Sequence, residues 1–282
     1  MNFSNPSVFI KVKDHSVSKE NFELLLDEEL QLLKTDPQPS LEALPKYYES
    51  DDYISHTDGK RSLFEKVYHF IKVYSLKKKV QLINSFHPQK GRLLDIGAGT
   101  GDFLATAKAN GWQITGLEPN EKAKSSAIAK GVSFQNDIKN IDNQSFDVIT
   151  MWHVLEHVPD IEQQIKDLKR LLKPNGTIII AVPNFKSFDA NYYGEFWAAY
   201  DVPRHLWHFS KIAIEKLFAK ENLKLVKILP LVFDGFYVSL LSEKYKNGKM
   251  NFLKAFYIGW KSNNSAKRSL EYSSHIYVIK NT

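Results

Sequence analysis

From position 92 to position 182 the chain alternates between short apolar runs of strand length and amphipathic runs of helical period. This alternation restricts the possible folds more than any other feature of its 282 residues. Apolar runs at 93–96, 113–117, 132–134, 146–151 and 177–182 read as strands, and 102–110 and 121–130 as the helices between them. A third helix follows Asp160, an N-cap with Gln163 as its capping-box partner. Ile161, Ile165, Leu168 and Leu172 form its buried stripe, and Lys173-Pro174-Asn175-Gly176 stops it. Parallel strands are joined only through crossovers long enough to hold a helix, so strands regularly separated by helices specify a doubly wound α/β sheet.

The flanks differ in character. Residues 1–40 end in the breaker cluster Thr35-Asp36-Pro37-Gln38-Pro39-Ser40; within them 22–26 and 31–34 read either as one helix or as two strands joined through Asp27-Glu28-Glu29, which periodicity leaves open. Segment 62–86 is helical, with Leu63, Val67, Phe70, Ile71, Tyr74 and Leu82 as its apolar positions and Lys77, Lys78 and Lys79 as a solvated face. Beyond 182, Ser210 caps a helix to about residue 222 with Phe209 and Ile214 as a staple, 223–231 is a strand, 234–272 is an insertion of the length of a helical cap, and 275–279 is the final strand. The boundaries expected are therefore an amino-terminal hairpin appendage at 1–40, a helical lid and lead-in at 41–91, and an α/β domain at 92–282 with cap insertions at 185–209 and 234–272.

Composition removes several functions. With 43% apolar and 25% charged residues the chain has material for one large core, and with no Cys it has no disulfides, thiolate metal sites or cysteine nucleophiles. No apolar run approaches the roughly 20 residues needed to span a bilayer, and the chain reads as soluble and cytoplasmic. Net charge is +6, but only five of the 38 basic residues are Arg and the lysines are dispersed, which argues against a nucleic-acid partner.

The sharpest local signal is Leu93-Leu94-Asp95-Ile96-Gly97-Ala98-Gly99-Thr100-Gly101-Asp102, between an expected strand and an expected helix. Its glycines let the backbone turn tightly and approach a ligand. A dinucleotide fingerprint needs its third glycine where this chain has Asp102, and a carboxylate there repels a pyrophosphate. A phosphate-free zwitterionic nucleoside fits better: Asp95 orients the loop and, through water, an amino group; Glu118, next to Pro119 at the end of the second strand, accepts both ribose hydroxyls; Asp137 accepts an adenine amino group while Ile138 packs on the ring.

On these motifs the chain resembles the class I S-adenosylmethionine-dependent methyltransferases over about residues 90–182. Within that family it looks most similar to the ubiquinone-biosynthesis O-methyltransferase type, through Phe146-Asp147-Val148-Ile149-Thr150-Met151-Trp152-His153-Val154-Leu155-Glu156-His157-Val158-Pro159-Asp160. The resemblance implies a seven-stranded Rossmann-like sheet of order 3-2-1-4-5-7-6 with the last strand antiparallel. It implies S-adenosyl-L-methionine as methyl donor, bound by Asp95, Gly97, Ala98, Gly99, Gly101, Glu118, Pro119, Asp137 and Ile138, with Met151, Trp152 and His153 touching it. The amino-terminal forty residues are similar to a zinc-ribbon-like hairpin of related bacterial proteins, here without Cys, which favours strands for 22–35.

Methyl transfer to a hydroxyl needs the acceptor positioned and its proton removed. His157, His205 and His153 are the candidates for that chemistry, lying in the loops beyond the fourth and fifth strands; brace and core-donor roles are the alternative for each. A resemblance to the metal cluster of small-RNA 2′-O-methyltransferases, carried by His153-Val154-Leu155-Glu156-His157 and His205, adds a divalent metal as a further reading. Tyr47, Tyr48, Tyr53 and His56 read as a lid over the donor or as packing of the amino-terminal segment. Aromatic residues of the cap, among them Phe252, Phe256 and Trp260 every four residues, read as helix packing, as an apolar acceptor pocket, or as peripheral membrane contact. The expectation is a methyltransferase acting at oxygen on a small aromatic or lipophilic acceptor, with a nucleic-acid methyltransferase and a non-catalytic donor-binding protein as alternatives.

Overall fold

The computed structural model describes Met1, Phe3, residues 5–48 and residues 63–281, the side chains of 63–68 excepted. Tyr53 and His56 of the expected lid lie outside the described residues.

The amino-terminal strands are β1 (Ser7–Lys13), β2 (Asn21–Asp27) and β3 (Leu32–Asp36), an antiparallel meander. β2 and β3 are the two strands expected within 22–35, and β1 adds a third. Alternation decides strand over helix here: Phe22, Leu24 and Leu26 are buried on one face of β2, as a period of two requires. After a 3₁₀ turn at Leu44–Tyr48 comes helix α1 (Leu63–Phe86).

The central domain then runs β4 (Arg92–Ile96), α2 (Asp102–Ala109), β5 (Gln113–Leu117), α3 (Glu121–Ile128), β6 (Phe146–Trp152), α4 (Ile161–Leu171) and β7 (Leu172–Pro183). Next are α5 (Phe188–Tyr193), the two-residue β8 (Trp207–His208), α6 (Lys211–Ala219), β9 (Leu223–Pro230), α7 (Asp234–Asn247), α8 (Phe252–Ser269) and β10 (Ser274–Asn281). The large sheet has the order β5-β4-β6-β7-β10-β9, extended beyond β5 by a single parallel bridge from Gly116 to Phe134. β10 is antiparallel to both neighbours and the other pairs are parallel. Counting the bridge as the third strand, this is the 3-2-1-4-5-7-6 order with the last strand reversed. β8 pairs with β3, so the meander becomes a four-stranded sheet joined to the loop after β7.

Two local expectations are corrected. Leu172 is in strand β7, paired with Phe146; the register then jumps to Val148–Thr177, so Lys173-Pro174-Asn175-Gly176 is a bulge inside a strand instead of the turn after a helix. Sheet pairing at Leu172 outweighs one more helical turn. In α1, Val80 and Ile83 are buried against the sheet with Leu82 packed beside them, but Phe70 is 71% and Tyr74 42% exposed, so the packed face takes in only part of the expected stripe.

The core lies on both faces of the sheet. One side holds Ile149, Met151, Ile165, Leu168, Ile178 and Phe218; the other holds Leu93, Phe103, Leu104, Val148 and Ile179. A third cluster joins Phe22, Leu24 and Leu33 of the meander to Phe185, Trp197, Val238 and Ile258 of the two insertions. Buried Asp189 ties those insertions to the sheet, accepting from Trp197 Nε1 (2.8 Å), Ser262 Oγ (2.6 Å) and Ser273 Oγ (2.7 Å).

Candidate active site

The glycine loop leaves the end of β4 and returns as α2. Gly97, Gly99 and Gly101 all have positive φ (71°, 52° and 75°), the left-handed region in which a side chain is strained. Space distinguishes them. A Cβ on Gly97 would lie 2.3 Å from Val154 Cγ2 and one on Gly101 2.6 Å from Ala127 Cβ, whereas one on Gly99 would meet nothing within 4 Å. Gly97 and Gly101 are thus required by packing. Gly99 faces open space, as a loop does where its backbone passes a ligand.

Glu118 follows β5 directly. Its carboxylate accepts from Gly99 N (2.7 Å) and Asn120 N (2.9 Å), which locks the loop against the end of the next strand, with Pro119 exposed beside it. Asp137 caps a 3₁₀ turn through Lys139 N (2.9 Å); Ile138 is half-buried, its carbonyl held by Arg170 Nη2 (2.9 Å). Asp95 is 3% exposed and accepts from Thr150 Oγ1 at 2.6 Å. Burial raises its pKa above the carboxylate range, against the pull of Thr150 and Lys79.

The sequence places Lys79 on a solvated face. It instead reaches back to the sheet, its Nζ 4.2 Å from the centre of the Trp152 ring, where burial lowers its pKa and Asp95 and Asp234 oppose that change. Lys77 and Lys78 are exposed as expected. Met151 is fully buried in the core beneath the loop, and Ala98 is also buried. Trp152 is half-buried with its Nε1 enclosed and unbonded.

His153 has φ +57° and bridges two carboxylates, with Nε2 3.0 Å from Asp234 Oδ2 and Nδ1 3.4 Å from Glu156 Oε1. Burial alone would strip its proton; Asp234 and Glu156 outweigh that and raise its pKa to about 10, so it is a fixed cation at neutral pH. Asp234 begins α7, and nothing in the sequence linked it to this loop.

Beside His153, the structure brings together Glu156, His157 and His205, each offering one atom within 4.8 Å of the others. Glu156 is fully buried, and neither of its oxygens has a hydrogen-bond partner. Buried carboxylates are ordinarily bonded; this one is held by charge, its Oε1 3.4 Å from the His153 ring, which keeps it ionised. His157 Nδ1 lies 3.0 Å from the Arg204 carbonyl and 3.1 Å from Tyr48 Oη; His205 Nδ1 lies 2.9 Å from the Ala199 carbonyl. A carbonyl can only accept, so each Nδ1 carries the hydrogen and each Nε2 keeps its lone pair. The His157 pKa is lowered to about 4 by burial and by His205. One buried carboxylate, paired on one side with His153, and two imidazoles oriented by backbone carbonyls could hold a divalent transition metal.

The amino-terminal meander reaches this cluster. Buried Arg204 donates to Asp201 (2.7 and 3.0 Å), Asp14 Oδ1 (3.1 Å) and the Tyr47 carbonyl (2.9 Å), and Thr35 Oγ1 donates to the His205 carbonyl (2.6 Å). His208 is buried against Thr35 Oγ1 at 3.1 Å. Lys79, Asp234 and Arg204 were not expected as site residues; Glu156 is expected from the sequence only through the metal-like cluster it forms with His157 and His205.

A family model described as a methyltransferase domain matches residues 67–228, more than half of the chain. The chain is similar to a ubiquinone biosynthesis O-methyltransferase of Rickettsia prowazekii, 27% identical over 67% of this chain and 81% of that one. It is also similar to the protein of that description from Yersinia pestis, 31% identical over 33% of this chain and 43% of that one, so it spans under half of the second relative. Among solved structures it shares the fold of magnesium protoporphyrin IX methyltransferase from Synechocystis with bound SAH, at a TM-score of 0.55 and 13% identity, over 84% of this chain and 97% of that one. A glycine loop locked by Glu118 at the head of a 3-2-1-4-5-7-6 sheet agrees with these matches, and the chain belongs to the class I S-adenosylmethionine-dependent methyltransferases.

Proposed function

We propose that this methyltransferase transfers its methyl group to a hydroxyl of a small apolar or aromatic acceptor, held between the 153–157 loop and the 201–208 loop. The observation that carries the reading is the buried Glu156 carboxylate, ion-paired with His153 but without a close hydrogen bond, lying within 4.8 Å of a ring nitrogen of His157 and of His205. In the donor half of the site, Glu118 holds the ribose, Asp137 and Ile138 the adenine, Asp95 the amino group and Lys79 the carboxylate. Gly99 leaves the room that the ligand needs.

Transfer from a sulfonium needs no help for the leaving group, so the acceptor side decides the chemistry. His153, held as a cation between Asp234 and Glu156, is a hydrogen-bond donor and electrostatic anchor instead of a base. A histidine whose pKa is near 4 is a weak base for a hydroxyl but a good metal ligand. Glu156, His157 and His205 are the residues that would hold a divalent metal. Bound there, it would lower the pKa of the acceptor hydroxyl. The Arg204 carbonyl keeps His157 in the tautomer that leaves Nε2 open.

The test is labelled methyl transfer from S-adenosylmethionine into cell extract fractionated by polarity, before and after chelation, with metal analysis of the purified protein. Label in the apolar fraction, lost on chelation and restored by a divalent metal, is expected. Label in RNA refutes the acceptor assignment, and undiminished transfer after complete metal removal refutes the metal.

A further inference from the structure

We infer that the outer face of the α7–α8 hairpin is a docking surface for an anionic lipid bilayer. α8 is striped around its axis. Ala255, Ile258, Gly259, Ser262 and Ala266 are buried against the domain, while Leu253 (87% exposed), Phe256 (65%) and Trp260 (52%) stand in solvent on successive turns. Between the two stripes Lys254, Lys261 and Arg268 recur every seven residues. Packing of the hairpin accounts for the first stripe only.

The exposed stripe is part of a larger surface. Phe256 is 5.2 Å from Phe236 of α7 between ring centres, and Phe233, next to Asp234 of the site, packs edge-on at 5.8 Å against Tyr74 of α1. Phe70 lies one turn before Tyr74 and is 71% exposed. Apolar side chains thus run across three elements and reach Phe233, the neighbour of the Asp234 that pairs with His153. A contiguous apolar surface on a soluble domain marks an interaction site.

Charge identifies the occupant. Residues 234–270 hold six Lys and one Arg against two acids, and both acids are engaged inward, Asp234 with His153 and buried Glu243 with Tyr193 and Lys254. The outer face is therefore cationic around an apolar centre, with Lys246, Lys249, Lys261 and Lys267 exposed. A second copy docked about a twofold axis would set this cationic face against itself. An anionic bilayer complements it: apolar side chains enter the interface, lysine stems lie along it, and their heads meet the phosphates. Bases would stack on the aromatic rings but leave Leu253 without a partner. Among the described residues no helix is long and apolar enough to cross a membrane, so the contact is peripheral.

The experiment is co-sedimentation of the full chain with phosphatidylcholine vesicles, with and without phosphatidylglycerol, read together with tryptophan fluorescence. Trp112, Trp197 and Trp207 are at most 3% exposed and Trp152 is half-buried in the site, so the part of any shift that belongs to Trp260 is the part lost in Trp260→Phe. Binding to phosphatidylglycerol vesicles, reversed by salt, with a blue shift absent from Trp260→Phe, is expected. The double variant Leu253→Glu, Phe256→Glu should lose at least about tenfold in partitioning while keeping its affinity for S-adenosylmethionine, which reports an intact fold. No vesicle binding by the unaltered chain overturns the inference, as does a double variant that partitions like it. A concentration-dependent dimer dissociated by the double variant, or a Trp260 shift produced by single-stranded RNA and not by vesicles, assigns the face to another partner and overturns it too.

Discussion

Alanine placed at Gly99 and at Gly101 separates what the glycine loop does for the fold from what it does for the ligand. Both positions have left-handed φ, so alanine at either costs roughly 1–2 kcal/mol of backbone strain. At Gly101 the new methyl also meets Ala127, 2.6 Å from its Cβ and 3.1 Å from its Cα. Backbone cannot swing aside as a flexible side-chain end does, so overpacking of roughly 1–3 kcal/mol adds to the strain and Gly101→Ala should lose roughly 2–5 kcal/mol in all. At Gly99 there is nothing within 4 Å, and the stability loss should stay at roughly 1–2 kcal/mol. Ligand affinity reverses the order. The Gly99 methyl points into the space assigned to the methyl donor and should weaken binding by roughly 10–100-fold, whereas Gly101→Ala, corrected for its unfolded fraction, should bind within a few-fold of the unaltered protein. Urea unfolding gives the first pair of numbers and calorimetry with S-adenosylmethionine the second. If Gly99→Ala binds the donor normally, or if the two variants are equally stable, the assignment of Gly99 to the ligand and Gly101 to packing is wrong.

Three further outcomes follow from buried polar groups. Arg204→Met leaves Asp14, 1% exposed, without its guanidinium partner and should cost roughly 3–5 kcal/mol; adding Asp14→Asn should recover part of it in a double-mutant cycle read by chemical denaturation. His275 is 1% exposed and burial lowers its pKa to about 4, so below the unfolded value near 6.5 the unfolded chain binds more protons and stability falls as pH drops from about 6.5 to about 4. The loss should reach about 3 kcal/mol and shrink in His275→Gln, as melting against pH would show. Asp189→Ala strands the Trp197, Ser262 and Ser273 donors, and amide exchange should quicken along α8 before it does in the parallel strands; unchanged exchange there would show that the carboxylate does not pin the hairpin.

The layout of the sheet and the donor loop was legible in the linear chain because both are written in local signals. Strand and helix periods alternate between 92 and 182, caps such as Asp160 and Ser210 fall where side chains accept from the third residue beyond, and the three glycines stand where φ is positive. A crossover rule then leaves few ways to order the strands. Burial direction on a long amphipathic helix was not legible in the same way. Lys79 belongs to a run of three lysines, and only the packing of α1 turns it toward Trp152 and Asp95. Phe70 and Tyr74 have the spacing of a packed stripe, yet the sheet meets α1 through Val80 and Ile83. Position 234 lies 81 residues from His153, and no spacing rule connects a cap insertion to the loop after β6.

What the sequence by itself determined, then, is the order of elements and the chemistry available at each strand end, since these depend on neighbours a few residues apart. Tertiary structure alone decided that His157 and His205 come together with the buried Glu156, and that the amino-terminal meander holds them there through Arg204 and Thr35. Such contacts depend on the relative placement of whole elements, which is set by how the three apolar clusters interlock and not by the period of any one segment.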